Sequence, residues 1–215
     1  MVAGYDALRD FGESPRAVPP NRPRSRETVQ VCHTPLQDPK FFQLLELIDA
    51  EHAAQVRAGG CSCDGVLHSA RYRRKPRGGP REFQSQEHWR LSFCCNCCRQ
   101  RHTPRSVVYL GRRVFLAAVV VLGSAQRSRL TGRAVQSLCT TLGLSRCSLD
   151  RWRAWWQCDF PATAFWRVAR ARFMPGIVTS LPAGLLERFE ATEAATQLRE
   201  ALRFLAPLST QTEGR

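Results

Sequence analysis

The chain has 215 residues, with 32 basic against 18 acidic side chains, a formal charge of +14 at pH 7 and an isoelectric point near 10.2. The length allows one large domain or two small ones, and the charge marks a chain that meets polyanions. The most apolar run, Val114–Leu122, is about half as long as a bilayer crossing requires, and Met1–Pro20 has no apolar stretch of the kind an export signal needs, so the sequence predicts a cytoplasmic protein with no membrane partner.

Residues 1–36 read as a disordered basic tail, because Ser14–Arg26 is rich in Pro and Arg and has little to bury. Residues 37–58 read as a helix. Asp38 suits an N-cap and Pro39 the first helical position. Phe41, Leu44, Leu45 and Ile48 form an apolar stripe at helical spacing, and Gly59-Gly60 end it. The stripe assigns this helix to packing alone.

Residues 59–108 read as a zinc-ribbon-like module of short strands and turns. Ten cysteines are many for a chain without an export signal, where a disulfide framework is rare. A zinc ribbon takes two thiolate pairs, each on a tight turn, with a variable loop between them. Cys61-Ser62-Cys63 offers one pair, and Cys94-Cys95-Asn96-Cys97-Cys98 contains two overlapping C-x-x-C choices. With Arg90–Cys94 as the entering strand, Cys95 opens the second turn and Cys98 closes it. The expected ligands of a Zn2+ ion are therefore Cys61, Cys63, Cys95 and Cys98, with Cys94, Cys97 and His68 as alternates. Cys32, Cys139, Cys147 and Cys158 stand alone and read as free thiols, and no βαβ pattern supports a redox C-x-x-C. Between the pairs, residues 71–81 hold six basic residues in eleven, broken by Pro and Gly. They read as an extended basic arm, with Arg73, Arg74, Lys75 and Arg77 available to a DNA backbone.

Residues 109–160 read as a helix-turn-helix preceded by a supporting helix near 109–124. The pair itself is predicted at 133–142 and 146–157. Cys139 is small enough for the crossing, Gly143 accepts the left-handed conformation of the turn, and Leu138, Leu142 and Leu144 can bury beneath it. Ser145 suits the cap of the second helix, and Leu149 and Trp152, three apart, face one core. In the major groove, the outward face of that helix would carry the readout. Arg146, Ser148 and Arg151 are the candidates for base edges, and Arg153 and Arg133 for phosphates. Trp155, Trp156, Phe160, Phe165 and Trp166 read as core that joins this unit to the C-terminal helices.

Residues 161–215 read as a C-terminal helical segment, with helices near 163–172, 183–190 and 192–204. Leu185, Leu186, Phe189, Leu198, Leu202, Phe204 and Leu205 suit a core, or the docking of a transposase or a second copy of the chain. The fold class is thus mainly α, with a small zinc-ribbon-like β module followed by a helix-turn-helix and C-terminal helices.

Several strings recur in a known order: Cys63-Asp-Gly-Val-Leu-His68, Arg74-Lys-Pro-Arg-Gly78, Arg90-Leu-Ser-Phe-Cys-Cys95, Thr103-Pro104, Tyr109-Leu-Gly-Arg-Arg113 and Val119–Leu122, then Arg151-Trp-Arg-Ala-Trp-Trp156, Phe165-Trp166, Leu181-Pro182 and Phe204–Leu208. In this pattern, over about residues 40–208, the chain resembles a family of uncharacterised bacterial proteins of insertion-sequence-like mobile elements. The resemblance implies a gene beside that of an integrase-core transposase, and that enzyme as a partner. Members usually carry C-x-x-C-G-G at the first knuckle; here the first family cysteine falls on Gly60, with Cys61 displaced by one.

Catalysis is not expected. An integrase-type centre needs three carboxylates on a sheet to hold two metals, whereas Asp150 and Asp159 stand in a helix and a loop, and Glu187, Glu190, Glu193 and Glu200 read as solvated helix faces. No phosphate-binding Gly-rich loop occurs, and His88, His102 and Ser148 suggest no triad. The sequence therefore predicts specific binding of double-stranded DNA by an accessory or regulatory protein of a transposable element, which could act as a homodimer. The alternatives are a binder of single-stranded nucleic acid or RNA, and a scaffold for a transposase that touches no DNA.

Overall fold

The computed structural model describes residues 34–111, 115–127, 131–173 and 180–210. Nearly all of the basic tail, with Cys32, lies outside them, as do Arg112, Arg113 and residues 211–215. The chain is mainly helical with a small β region.

Helix α1 (Thr34–Gln37) leads into α2 (Pro39–Gly59). The Asp38 carboxylate accepts the Lys40 N–H at 2.9 Å, Pro39 opens α2, and Gly60 leaves it at φ +68°. The buried face is Phe41, Phe42, Leu45, Ile48 and Ala53. Leu44 is 38% exposed, so the expected stripe is displaced toward Phe42. The cause is the Phe83 ring, which meets Phe42 at 5.1 Å between centroids.

Five short strands come next: β1 (Leu67–Ser69), β2 (Tyr72–Arg74), β3 (His88–Arg90), β4 (Phe93–Cys95) and β5 (Arg101–His102), with helix α3 (Arg81–Gln84) between β2 and β3. Strands β1, β4 and β5 form one antiparallel sheet in the order β1-β4-β5, which sets Leu67 opposite Cys95 and His68 opposite Cys94. Strands β2 and β3 form a separate hairpin that pairs Tyr72 with Arg90 and Arg74 with His88. Under the first sheet lies a small apolar cluster of Ala53, Cys61, Leu67, Phe93 and Cys95.

Residues 71–81 are not an extended arm. Their first half is β2, and Pro76, Gly78 and Pro80 are buried. Gly78 (φ +78°) and Gly79 (φ +81°) lie so close to the next helix that a Cβ would fall 2.8 Å from Val119 Cγ1 and 2.9 Å from Leu116 Cδ1. The Leu116 N–H donates to the Arg77 carbonyl at 3.1 Å, which completes the join. Two glycines that looked like loop punctuation instead let the backbone touch the core.

The supporting helix, α4 (Ala117–Arg127), starts later than the expected 109. Tyr109 pairs with Leu116 across an antiparallel bridge, and the Ala117 N–H donates to the Val108 carbonyl at 2.8 Å. These bonds, with Gly111 at φ +64°, hold Val107–Leu110 as a buried non-helical segment. Leu116–Leu122 are all buried, as befits a helix apolar all round. It packs against α5 (Gly132–Leu142), α6 (Arg146–Ala154), α9 (Ala183–Leu186) and α10 (Ala194–Leu205).

A wide π-helical turn, Trp155–Asp159, carries α6 into α7 (Phe160–Ala162); α8 (Ala164–Ala169) comes after it and ends in a 3-10 turn, Arg170–Arg172. Trp156, Phe160 and Trp166 are fully buried and Phe160 meets both tryptophan rings, so these aromatics are core, as expected. The predicted helix 183–190 is shorter, because tight bonds from Arg188 N–H to Leu185 O and Phe189 N–H to Leu186 O close it. One continuous core runs from Leu36 through α4–α6 to Leu208.

Candidate metal centre and nucleic-acid face

Two tight turns build the candidate metal centre. In the first, the Asp64 N–H donates to the Cys61 carbonyl at 2.9 Å and Asp64 takes φ +59°, which folds Cys61 and Cys63 to one side. In the second, the Cys95 N–H donates to the Gln100 carbonyl at 3.0 Å and Arg99 takes φ +60°, closing Cys95–Cys98. The turns dock through Asn96: its N–H reaches the Val66 carbonyl at 3.0 Å, and its side-chain oxygen accepts the Val66 N–H at 2.9 Å. Gly65 sits where they meet. A Cβ there would overlap the Cys95 sulfur and lie 2.8 Å from Cys97 Cβ.

The result is a cluster of four sulfurs, Cys61, Cys63, Cys95 and Cys98, all within 4.8 Å of one another. The sulfur–sulfur separations are 3.5 Å for Cys61–Cys98, 3.6 Å for Cys61–Cys63 and 3.4 Å for Cys63–Cys95. A tetrahedral ion with sulfur ligands at ~2.3 Å sets its sulfurs roughly 3.8 Å apart, so the four thiols could hold a metal ion. The one-residue displacement of Cys61 does not keep it from the cluster. Cys94 instead aims its thiol at the Arg99 carbonyl, 3.5 Å away, and His68 is exposed on β1. Cys97 is exposed beside Cys63 and outside the four.

Electrostatically the thiols differ. The Gly65 N–H, then the Cys95 and Cys98 thiols, pull Cys63 down to about 6. At Cys98 the Gln100 N–H acts in the same lowering sense, but its contacts with Cys61 and Cys63 outweigh it and push the thiol up to about 12. Four crowded sulfurs resist joint ionisation unless a cation replaces their protons.

Sequence reasoning missed what anchors this module. Helix α2 is more than packing: Glu46 Oε1 lies 2.8 Å from His88 Nδ1, and the other ring nitrogen meets the Phe83 carbonyl. One turn on, Asp49 accepts the Ser106 hydroxyl and, at 2.7 Å, the Val107 N–H. Burial raises the Asp49 pKa against these hydrogen bonds. Burial likewise lowers that of Arg90, whose guanidinium donates to the Pro104 carbonyl. The signal was Glu46 and Asp49 standing three apart beside the apolar stripe.

Helix α5 ends on Gly143 in the left-handed conformation (φ 61°, ψ 38°), and a short turn leads into α6. The Ser145 hydroxyl accepts the Ser148 N–H at 3.1 Å, the predicted cap. Leu149 and Trp152 are buried, and both lie against Gly123 of α4, whose missing side chain lets α6 approach. Arg146, Cys147, Asp150, Arg151 and Arg153 are exposed on the opposite face, as is Arg133 at the start of α5. Ser148 departs from expectation. It is 5% exposed and its hydroxyl lies 2.9 Å from that of Ser145, so it belongs to the cap and not to the outer face.

The basic residues of the hairpin are partly engaged. Arg73 pairs with Glu87 at 2.6 Å and lies over the Trp89 ring with Arg71, and Arg74 lies over Tyr109. Lys75 and Arg77 are exposed. No described helix is long and apolar enough to cross a membrane. Comparison with family models, curated proteins and solved structures found nothing that matches this chain.

Proposed function

We propose that this protein binds double-stranded DNA in a sequence-specific way, with α6 in the major groove. The observation that carries the reading is the two-sidedness of α6: Leu149 and Trp152 fix one face in the core, and Arg146, Arg151 and Arg153 stand exposed on the other. Arg146 and Arg151 take the base-reading role, since a guanidinium matches the two acceptors of guanine. Arg153 and Arg133 hold phosphates, and Lys75 and Arg77 extend that contact. The ion of the four-cysteine centre is zinc, in keeping with four sulfur ligands and a closed tetrahedral site. It is structural here, because no ligand position is left for substrate.

The protein acts as an accessory or regulator of a transposable element, recognising DNA near its own gene alongside a separate transposase. The burial of Trp156, Phe160 and Trp166 takes these three rings out of reach of unpaired bases, which favours the duplex reading. The test is competition between labelled duplex from the gene's flanks, scrambled duplex and matching single strands, across a salt series. Preference for the flank by about a hundredfold, roughly 2.7 kcal/mol, supports the reading. Equal binding of flank and scrambled duplex with a steep salt slope would reduce it to general polyanion binding.

A further inference from the structure

Residues 71–78 carry their cations in a pattern. Arg71, Arg73, Lys75 and Arg77 stand at every second position and all four are exposed, whereas Arg74, Pro76 and Gly78 are half-buried or buried. Arg74 lies over the Tyr109 ring, and Gly78 lies against Val119. Alternation of this kind sends successive side chains to opposite sides. The four cations therefore share one side, over at most ~20 Å, the length of about six base pairs.

Rows of exposed cations are common on solvated surfaces, and two observations set this one apart. First, two of the four are pinned. The guanidinium carbons of Arg71 and Arg73 lie 4.7 Å and 5.3 Å from the centroid of the Trp89 ring, and Trp89 is the residue paired with Arg73 across the hairpin. A guanidinium held over a ring keeps its N–H groups for a ligand and has given up side-chain entropy before the ligand arrives. Arg73 also pairs with Glu87 at 2.6 Å, but both side chains are mostly exposed, and such a pair is weak enough to yield to a phosphate. Second, the row is seated beside α6. Arg77 pairs through its backbone with Phe115, whose ring meets the Trp152 ring of α6 at 5.0 Å. On α4, Val119 receives Gly78, and Gly123, four residues on and on the same face, receives Leu149 and Trp152. The two seats on α4 are about one helical turn apart.

The chemistry that this arrangement recognises is a run of phosphates, because its arginines stay charged at any physiological pH and the ring face they occupy is withheld from an unpaired base. We infer that the Arg71–Trp89–Arg73 stack, continued by Lys75 and Arg77, grips the sugar-phosphate backbone of the duplex that α6 reads. The inference rests on the DNA-binding reading of α6 and adds to it a sequence-independent anchor, with Trp89 as a positioning residue. The test is equilibrium binding of the full chain to flank and scrambled duplexes across a salt series, with thermal unfolding to confirm that each variant folds. Arg71→Ala/Arg73→Ala weakens both duplexes alike, on the order of tenfold, and lowers the slope of log K against log salt by about 2. Trp89→Leu keeps both charges, so it weakens binding several-fold with the slope unchanged, and Trp89→Phe, which restores a ring face, recovers most of that loss. Glu87→Gln frees Arg73 and tightens binding about two- to fivefold. Wild-type affinity and slope in the double arginine variant would overturn the inference, as would Trp89→Leu and Trp89→Phe behaving alike. Preference for flank over scrambled duplex reports on α6 alone. A reduced slope in the double variant, with no such preference in the wild-type chain, therefore leaves this anchor standing while the sequence reading fails.

Discussion

Gly65→Ala is the sharpest perturbation of the metal centre. Gly65 is not held at positive φ, so backbone conformation does not oppose the change and the effect is steric. The added methyl would overlap the Cys95 sulfur, stand 2.8 Å from Cys97 Cβ and 3.0 Å from Asn96 Oδ1. None of these yields freely. The Cys95 sulfur is fixed by its three neighbours, Cys97 Cβ is bonded to the backbone of the second turn, and the Asn96 oxygen is held by Val66. The two turns must separate by about an ångström to relieve the overlap with sulfur, an overpacking strain of roughly 1–3 kcal/mol. Since the four sulfurs come from both turns, that strain falls on the bound state and weakens zinc by about 5- to 150-fold. The assay is competition for zinc between the full chain and a chromophoric chelator. Gly59→Ala is the control, because a Cβ there meets nothing within 4 Å. Wild-type zinc affinity in Gly65→Ala would refute the argument that the two turns close on one ion.

Other consequences are equally specific. Leu149 is fully buried between α6 and α4, so Leu149→Ala should lower stability by about 2–5 kcal/mol in denaturant titration; a loss under ~1 kcal/mol would mean that α6 is not docked as described. Ser148→Ala keeps the N–H that Ser145 caps and loses only the hydroxyl contact, so it should cost about 1 kcal/mol and leave DNA sequence preference unchanged, and a changed preference in binding competition would return Ser148 to the reading face. Arg153→Ala and Arg133→Ala should weaken all duplexes alike and each reduce the slope of log K against log salt by about 1; an unchanged slope removes them from the phosphate contacts. Gly78→Ala places a methyl against Val119 at φ +78°, so thermal unfolding should show a loss of at least ~1 kcal/mol, and an unchanged melting temperature would contradict the close approach of that loop to α4.

Much of this was legible where one local rule suffices. Asp38-Pro39 and Gly59-Gly60 bracket α2, Gly143 and Ser145 punctuate the α5–α6 turn, and the choice of four cysteines that cluster follows from strand and turn placement alone. Long-range contacts were not legible. The bonding of Tyr109 with Leu116 rather than into a helix depends on Arg77 far upstream. The basic stretch 71–81 misled for the same reason: Pro and Gly suggest an open loop, whereas burial against Leu116 and Val119 is a tertiary fact. Of the candidate site, the sulfur set and the arginine face of α6 came from sequence, and the Glu46 and Asp49 anchors came only from the structure.

The most direct test of the central claim is selection of duplexes from a random-sequence pool by the full chain and by its Arg151→Ala variant, each at near-physiological salt. The account predicts that the wild-type chain enriches one motif and that Arg151→Ala relaxes it at one position, at a cost of about 1–3 kcal/mol there. If no motif emerges, or if the motif survives Arg151→Ala unchanged, α6 does not read DNA and the proposed function falls.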